Sequence, residues 1–367
     1  MFENSFSVKK RILVKDLPSH AILEFQKSLS KEARVLSATT TDEVEAKEYK
    51  EALVWCADNS VKPASVIIQI SELDDIVKTI NFVRTDNLDF AIRAGGHSTS
   101  GASSTNRGLL LDLKKLNKVP CVCGVVNNTG IGGLTLGGGF GYLTGRYGLM
   151  IDNLVSATIV LADGSVKHAS SNSNPDLYWG IRGGCSKFGV AYEFVYKAHD
   201  QKNQAYAVLL AFEAEKFESV VEAYIEWLGK RGEDDTVMMI IGRHPPEYKV
   251  KYSVIICILF NNSNSEELYL HRFEPLLRLT PFMKQVALMP YHIVNSLGND
   301  NAPYGGHARE TAIIFEGHDG RKIATVKLED TAFGHRHNFF SVNIRQKWYN
   351  PENDVRVHEW ANSIAKE

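Results

Sequence analysis

The 367-residue sequence has little of several things that would have fixed its class outright. It lacks an excess of one charge, since 41 Lys and Arg face 43 Asp and Glu for a formal net charge of -2. A surface for nucleic acid or anionic lipid needs a basic excess, so neither partner is expected. It has only five cysteines, Cys56, Cys121, Cys123, Cys185 and Cys257. An odd, sparse set in a chain of this size makes no disulfide framework. Cys121 and Cys123 stand as C-x-C with no second ligand pair nearby, so no metal site is expected. No apolar run is long enough to span a bilayer. Lys9, Lys10, Arg11, Lys15 and Asp16 interrupt what would be the apolar core of a signal peptide. The expectation is a soluble intracellular protein, cytoplasmic in the absence of an address signal.

Two phosphate-binding fingerprints are also missing. No G-x-G-x-x-G opens a helix with a ribose-binding acid further on, and there is no G-x-x-x-x-G-K-S/T loop. A nicotinamide dehydrogenase and a nucleotide hydrolase lose ground accordingly.

What remains is the composition of a globular protein, 44% hydrophobic and 23% charged. The length fits two packed units. In the first, Ser65 to Ile70 is a β-branched run that predicts a strand. Ser71 is placed to cap a helix whose apolar face is Ile76, Ile80 and Val83. Phe90 to Arg93 predicts a second strand, completing a βαβ unit, and Leu109 to Leu113 a third. Asp163-Gly164 between two apolar runs predicts a hairpin, and Tyr192, Phe194 and Tyr196 mark one face of a strand.

Beyond residue 200, strands are predicted over Tyr206 to Phe212, Val237 to Ile241 and Tyr252 to Phe260. A helix anchored by Phe217, Val220, Val221, Tyr224, Ile225 and Leu228 follows the first of these. Glu266 to Leu279 reads as one further helix, with Leu268, Leu270, Phe273 and Leu276 as anchors.

The densest signal is glycine. Arg93-Ala94-Gly95-Gly96-His97-Ser98 follows a predicted strand, and seven glycines fill the twelve positions from Gly130 to Gly141. Each glycine adds entropy cost to a helix or central strand, so this run is expected to be irregular. Backbone without side chains can approach a flat or charged ligand closely. Composition alone leaves open tight turns with no ligand.

These segments, with Gly108 to Leu113, Thr129 to Leu143, Asp152 to Leu154, Leu161 to Gly164, Asn174 to Trp179, Arg182 to Gly184 and Phe188 to Val190, form an ordered series of motifs. The series resembles the FAD-linked oxidases with a p-cresol methylhydroxylase-type FAD domain, above all the berberine-bridge-enzyme-like branch with its fungal oxidoreductases. A weaker likeness covers Thr331 to Trp360.

The resemblance implies an α+β fold. Residues 1–200 would be a two-subdomain FAD-binding domain with its motif core at 60–200. Residues 201–345 would be an α+β substrate domain with an antiparallel sheet, and 346–367 a shortened return segment. It implies FAD, covalently joined through His97, as cofactor. The backbone N–H groups of Ala94, Gly95, Gly96, His97 and Ser98 would hold the pyrophosphate, with Arg93 beside them among the cofactor-binding residues. Gly132, Gly133, Thr135, Gly137, Gly138 and Gly139 would line the cofactor, with Gly189 and Val190 on a later strand. A second, cysteinyl tether is not expected, because Val126 stands where that cysteine would be and Cys121 and Cys123 are out of register.

The implied reaction is oxidation of an alcohol or specialised-metabolite intermediate, with O2 as co-substrate and hydrogen peroxide as product. Tyr142 and Tyr147, the latter beside Arg146, are the candidate proton acceptors; each can equally be an aromatic packing residue. The stretch from Leu116 to Gly124 is shorter than in the family, and the family's C-terminal tyrosine and asparagine are unmatched. A catalytically impaired homologue that keeps the fold is therefore the alternative. His335 and His337 would share a strand face as a metal pair does, yet no third ligand is evident; a polar sheet face is expected there.

Overall fold

The computed structural model describes residues 11–53, 62–98, 101–116, 124–125, 129–201, 204–243, 253–296, 312–337 and 341–345, with a few single positions beyond. Three sheets organise them. The first contains β1 (Arg34–Ser37), β2 (Val66–Gln69), β3 (Phe90–Arg93) and β4 (Leu109–Asp112), in the order β1-β2-β4-β3. β4 is parallel to both β2 and β3, so the two strands of the expected βαβ unit flank it rather than touching.

Helices α1 (Ser19–Ser28) and α2 (Glu43–Leu53) precede that unit, and α3 (Leu73–Thr85) links β2 to β3. As its spacing predicts, α3 buries Ile76, Ile80 and Val83, against Ile68, Leu109 and Leu111. Its cap differs from the expectation. Glu72, not Ser71, is the N-cap, and the buried Asp75 carboxylate accepts backbone N–H bonds from Ser30, Ser71 and Glu72 at 2.7, 3.1 and 3.2 Å. A carboxylate satisfies more helix-end donors than one hydroxyl does, which leaves the Ser71 hydroxyl to Ser30, 2.8 Å away.

The second sheet is antiparallel, with β5 (Leu154–Val160) between β6 (Val166–Ser170) and β7 (Val190–Tyr196). The β5–β6 hairpin forms around Asp163-Gly164 as expected. In sequence, α4 (Ile131–Leu136) and α5 (Thr144–Tyr147) lie between β4 and β5, and α6 (Pro175–Ile181) follows β6. The glycine run is thus not wholly irregular, because Ile131–Leu136 make a short helix. Ile131, Leu134 and Leu136 are good enough helix formers to carry one and a half turns over Gly132 and Gly133.

The third sheet has six antiparallel strands in the order β11-β8-β10-β9-β12-β13. They are β8 (Gln204–Glu213), β9 (Asp235–Arg243), β10 (Ser253–Asn261), β11 (Met283–Pro290), β12 (Ala312–His318) and β13 (Ser341–Arg345). One face packs on α7 (Phe217–Lys230), α8 (Glu266–Arg272) and α9 (Glu274–Leu277), around Trp227, Phe212 and Phe273. The expected single helix over 266–279 breaks at Phe273 because Pro275 in the first turn of α9 can neither donate to nor clear the preceding turn. Phe273 and Leu276 are buried anchors; Leu270 is exposed, Leu268 is half-buried, and Tyr269 is buried instead. In α7, Val220, Ala223, Tyr224 and Trp227 face the core, while Phe217 and Ile225 are exposed. The outcome is the α+β architecture with a large antiparallel sheet that the resemblance implied. Among the described residues no helix is long and apolar enough to cross a membrane.

Candidate functional site: a glycine cradle at the ends of parallel strands

The carboxyl ends of β2, β3 and β4 are tied by one buried ion pair. Arg93 and Asp112 are opposite in the β3–β4 register, and Arg93 Nη2 donates to Asp112 Oδ2 at 2.8 Å. Both side chains are almost fully buried. Gln69 donates to the same carboxylate at 3.3 Å, and the backbone N–H of Lys114 at 3.2 Å. Arg93 therefore lies beneath the loop it was expected to belong to, and supports it. Its Nη1 is buried with no hydrogen-bond partner among the described residues. A guanidinium donor left in that state favours an anionic group nearby.

The loop 94–98 leaves this strand edge, the usual place for ligands in sheets with parallel strands. It meets the second glycine segment backbone to backbone. A Cβ on Gly95 would lie 2.2 Å from Gly130 N, and a Cβ on Gly130 would lie 2.3 Å from Gly95 N. Both residues are packing glycines. Beyond this crossing, α4 presents bare backbone. A Cβ on Gly132 would find only Ala94 Cβ at 3.7 Å and the Phe194 ring at 3.9 Å, and one on Gly133 would meet nothing within 4 Å. His97 is half-buried, its ring edge 3.3 Å from where a Gly95 Cβ would be. Ser98 turns toward its own loop, its hydroxyl accepting from Ala102 N at 3.3 Å.

The other expected contributors divide. Thr135 is fully buried, donating to Ile131 O and bonded to the Tyr196 hydroxyl, both at 2.7 Å, so its side chain serves the protein interior. Gly189 backs onto the Val160 carbonyl, and the Val190 side chain is buried in the hydrophobic core. Gly137 follows α4 as its C-cap, and Gly139 packs on Met150. Gly138, at φ 113°, has the Phe333 ring 2.6 Å from where its Cβ would be, so only glycine fits.

Phe333 belongs to a strap that the sequence alone did not place. Trp179 Nε1 donates to Glu329 O at 2.7 Å, Arg182 Nη2 to Asp330 O at 2.6 Å, and Phe333 lies over Gly138 and Gly183. Arg336 closes the strap, donating to both Asp152 oxygens at 2.7 and 2.9 Å and to Thr331 Oγ1 at 2.7 Å. Asp152 is thus a structural acid. The pair is 3% and 10% exposed, and removing one partner of a buried pair costs about 3–5 kcal/mol. Arg336→Met should lower the unfolding free energy in urea by about that amount. Adding Asp152→Asn should recover part of it; a loss under ~1 kcal/mol would mean the pair behaves as a surface one. His335 and His337 sit on the same strap. Residues 331–337 form no strand, because the strap is held by side chains and backbone of α6 rather than by a sheet edge, so the expected sheet face is absent. The two rings lie 6.2 Å apart, both exposed.

The two tyrosines fare differently from the expectation. Tyr142 is 3% exposed, packed on Phe260 with ring centroids 4.8 Å apart. Burial, and then the charge of Glu316, push its pKa well above the ordinary phenol value. A phenol held protonated in this way is unsuited to accept a proton. Tyr147 is half-buried and stacks on His199 at 4.0 Å. Arg146 is engaged instead by Asp234, with the Arg146 Nε–Asp234 Oδ1 bond at 2.7 Å, and by Glu233 at 3.1 Å. Cys121, Cys123 and Val126 lie outside the described residues.

Comparison with known proteins agrees with this geometry. A family model described as FAD binding domain matches residues 64–123 and 118–170. The FAD-linked oxidoreductase pgmH of Aspergillus terreus is 36% identical over 241 residues, covering 56% of this chain and 48% of the relative. The chain thus spans about half the length of that curated relative. Among solved structures, the berberine-bridge-enzyme-like 1 protein of Physcomitrella patens superposes with a TM-score of 0.77 at 17% identity, covering 94% of this chain and 87% of that one. The glucooligosaccharide oxidase of Acremonium strictum, described with a 6-S-cysteinyl, 8α-N1-histidyl FAD, matches with a TM-score of 0.70 at 16% identity, over 87% and 80% of the two chains. The chain therefore carries the sequence of an FAD binding domain over residues 64–170, is similar to a fungal FAD-linked oxidoreductase over just over half its length, and shares its fold with berberine-bridge-enzyme-like proteins.

Proposed function

We propose that the chain is an FAD-dependent oxidoreductase that oxidises a small organic molecule, an alcohol or a specialised-metabolite intermediate, with O2 as final acceptor. One observation carries the reading: two glycine segments cross at Gly95 and Gly130 on the carboxyl edge of a parallel sheet and leave the α4 backbone bare at Gly132 and Gly133. The chemistry that FAD supplies when bound is acceptance of hydride from a substrate carbon, with the electrons returned to O2 as hydrogen peroxide. The backbone N–H groups of Ala94 to Ser98 would hold the pyrophosphate, with the buried Arg93 cation beneath them. Gly132 and Gly133 would keep side chains away from the ring system, while Gly138 and Gly139 make room for Phe333 and Met150. His97 would be the covalent attachment point, as a histidine is in the Acremonium oxidase. Of the two tyrosines, the half-buried Tyr147 would be the proton acceptor and the buried Tyr142 would not.

The test is turnover without nicotinamide. Purified protein incubated with a panel of aromatic and aliphatic alcohols in air should form peroxide in a substrate-dependent way. A yellow protein that forms none with any panel member, and whose flavin dithionite reduces but no alcohol does, would favour the impaired homologue.

A further inference from the structure

The end of β12 joins the six-stranded sheet to the glycine run. His318, the last residue of that strand, lies opposite Thr236 of β9 and is 1% exposed. Its ring stacks on Phe140, with centroids 5.4 Å apart and planes at 26°. Phe140 follows directly on Gly137, Gly138 and Gly139, and packs with Leu149, Ile151 and Ile323. The imidazole therefore fills the seam between the sheet and the turn that ends the glycine run.

The strand cannot draw back from this seam. A Cβ on Gly317 would lie 2.6 Å from the Tyr224 hydroxyl and 2.7 Å from the Trp227 ring, so the backbone is already pressed on α7. Just past the end of α7, Arg231 Nε donates to His318 O at 2.8 Å. The turn is held more loosely, since the hydrogen bond across the seam from Thr236 Oγ1 to Tyr142 O is 3.3 Å long. The charges around the ring do little for a second cation. Arg231 faces it from α7, and Asp319, the next residue, is taken up by Arg321, whose Nε donates to its two oxygens at 2.9 and 2.8 Å. Glu316 lies two residues back on the same strand face, β9 brings the uncharged Thr236, and the turn brings Tyr142, held as a phenol. Burial, and then the Arg231 charge, lower the pKa of His318 to about 4, with Asp319 opposing them.

We propose that His318 is an acid-operated latch: neutral, it closes the seam against Phe140; protonated, it takes up water and lets the Phe140 turn lift from the sheet. An imidazolium needs water or a counter-charge, which the buried seam beside Arg231 offers poorly. The face of the Phe140 ring attracts a cation, but less strongly than the hydration it replaces. With the strand pinned on α7, the turn is the side that gives way. In the open form the imidazole is solvated and titrates near its ordinary value of about 6.5. Between that value and about 4 the open form binds a proton that the closed form does not, so its population grows about tenfold per pH unit as pH falls. Above that window the latch is closed and insensitive to pH. The latch needs only protein groups, so it stands apart from the flavin reading and goes beyond it.

The experiment is hydrogen exchange of the protein as purified, from about pH 6.5 to about pH 4.5, corrected for intrinsic exchange rates. The reporters are the amides of Met150 and Ile151, which donate to Gly139 O and Gly138 O at 2.7 and 3.2 Å. Their opening should rise about tenfold per pH unit in the wild type and less than about twofold in His318→Gln. The amides of Ile67 and Ile68 in β2 should stay protected in both. NMR of histidine-labelled wild type should show an imidazole still neutral at about pH 5 that is missing from His318→Gln. The wild-type exchange and NMR measurements decide the matter even where the variant folds poorly. The latch is overturned if opening at Met150 and Ile151 does not depend on pH, if His318→Gln keeps the wild-type slope, if β2 opens in step with them, or if every wild-type imidazole is protonated at about pH 5.

Discussion

Gly130→Val should strip the protein of most of its flavin and lower its melting temperature. The residue's backbone is in an ordinary extended conformation, at φ -67° and ψ 124°, so valine meets no torsional objection there. The objection is steric. The new Cβ would be 2.3 Å from Gly95 N and 2.5 Å from Gly95 Cα, both backbone atoms that cannot rotate away. The two loops must part, and overpacking of this kind costs about 1–3 kcal/mol. Gly95→Ala meets the same wall from the other side, at 2.2 Å. Gly133→Ala supplies the contrast. Its Cβ would meet no protein atom within 4 Å, and alanine in a helix is favoured over glycine by about 0.5–1 kcal/mol. It should keep or raise stability, yet reduce FAD uptake about tenfold or more, because it fills the cradle rather than the crossing. Calorimetry and flavin content measured on the same samples separate the two effects. If Gly130→Val holds its full complement of flavin, the crossing is not what shapes the site.

His97→Ala should abolish covalent attachment outright. Peptide mass spectrometry of the wild-type protein should find an FAD-sized adduct on the peptide containing His97, and the variant peptide should run at its unmodified mass. The variant should still take up FAD reversibly, since the Gly95–Gly130 crossing is made backbone to backbone and nothing stands over Gly133. Its flavin would then pass through a dialysis membrane. An adduct on any other residue, or one that survives the substitution, would move the attachment point and leave the cradle in place.

Local pattern made much of this fold legible. Phe90–Arg93 reads as a strand from its residues and is one; the hairpin at Asp163-Gly164 forms where the turn residues demand it; and Ile76, Ile80 and Val83 face the core at helical spacing. What pattern could not supply was decided by distant neighbours. Ser71 looks like a cap, but Asp75 takes those donors because Ser30, from a different part of the chain, brings it a third. Phe217 and Ile225 have the spacing of a core face, yet the sheet meets α7 through Val220, Ala223, Tyr224 and Trp227.

The site divides along the same line. The glycine segments were found by composition, and Ala94, Gly95, Gly130 and Gly132 do come together. Which glycines serve packing and which leave space depends on what stands opposite, and that is tertiary. The Phe333 ring over Gly138, the Arg336–Asp152 pair and the place of Glu316 all join residues more than 150 positions apart, apart from any periodicity that a sequence window could register.

The most direct test of the central claim is the flavin content of the purified wild-type protein. It is read from the visible absorbance before and after acid precipitation and quantified against protein concentration. The account predicts FAD close to equimolar with the chain, with the colour carried down in the pellet. A well-folded, cooperatively melting protein that is colourless as isolated, and that takes up no FAD on prolonged incubation, would contradict it.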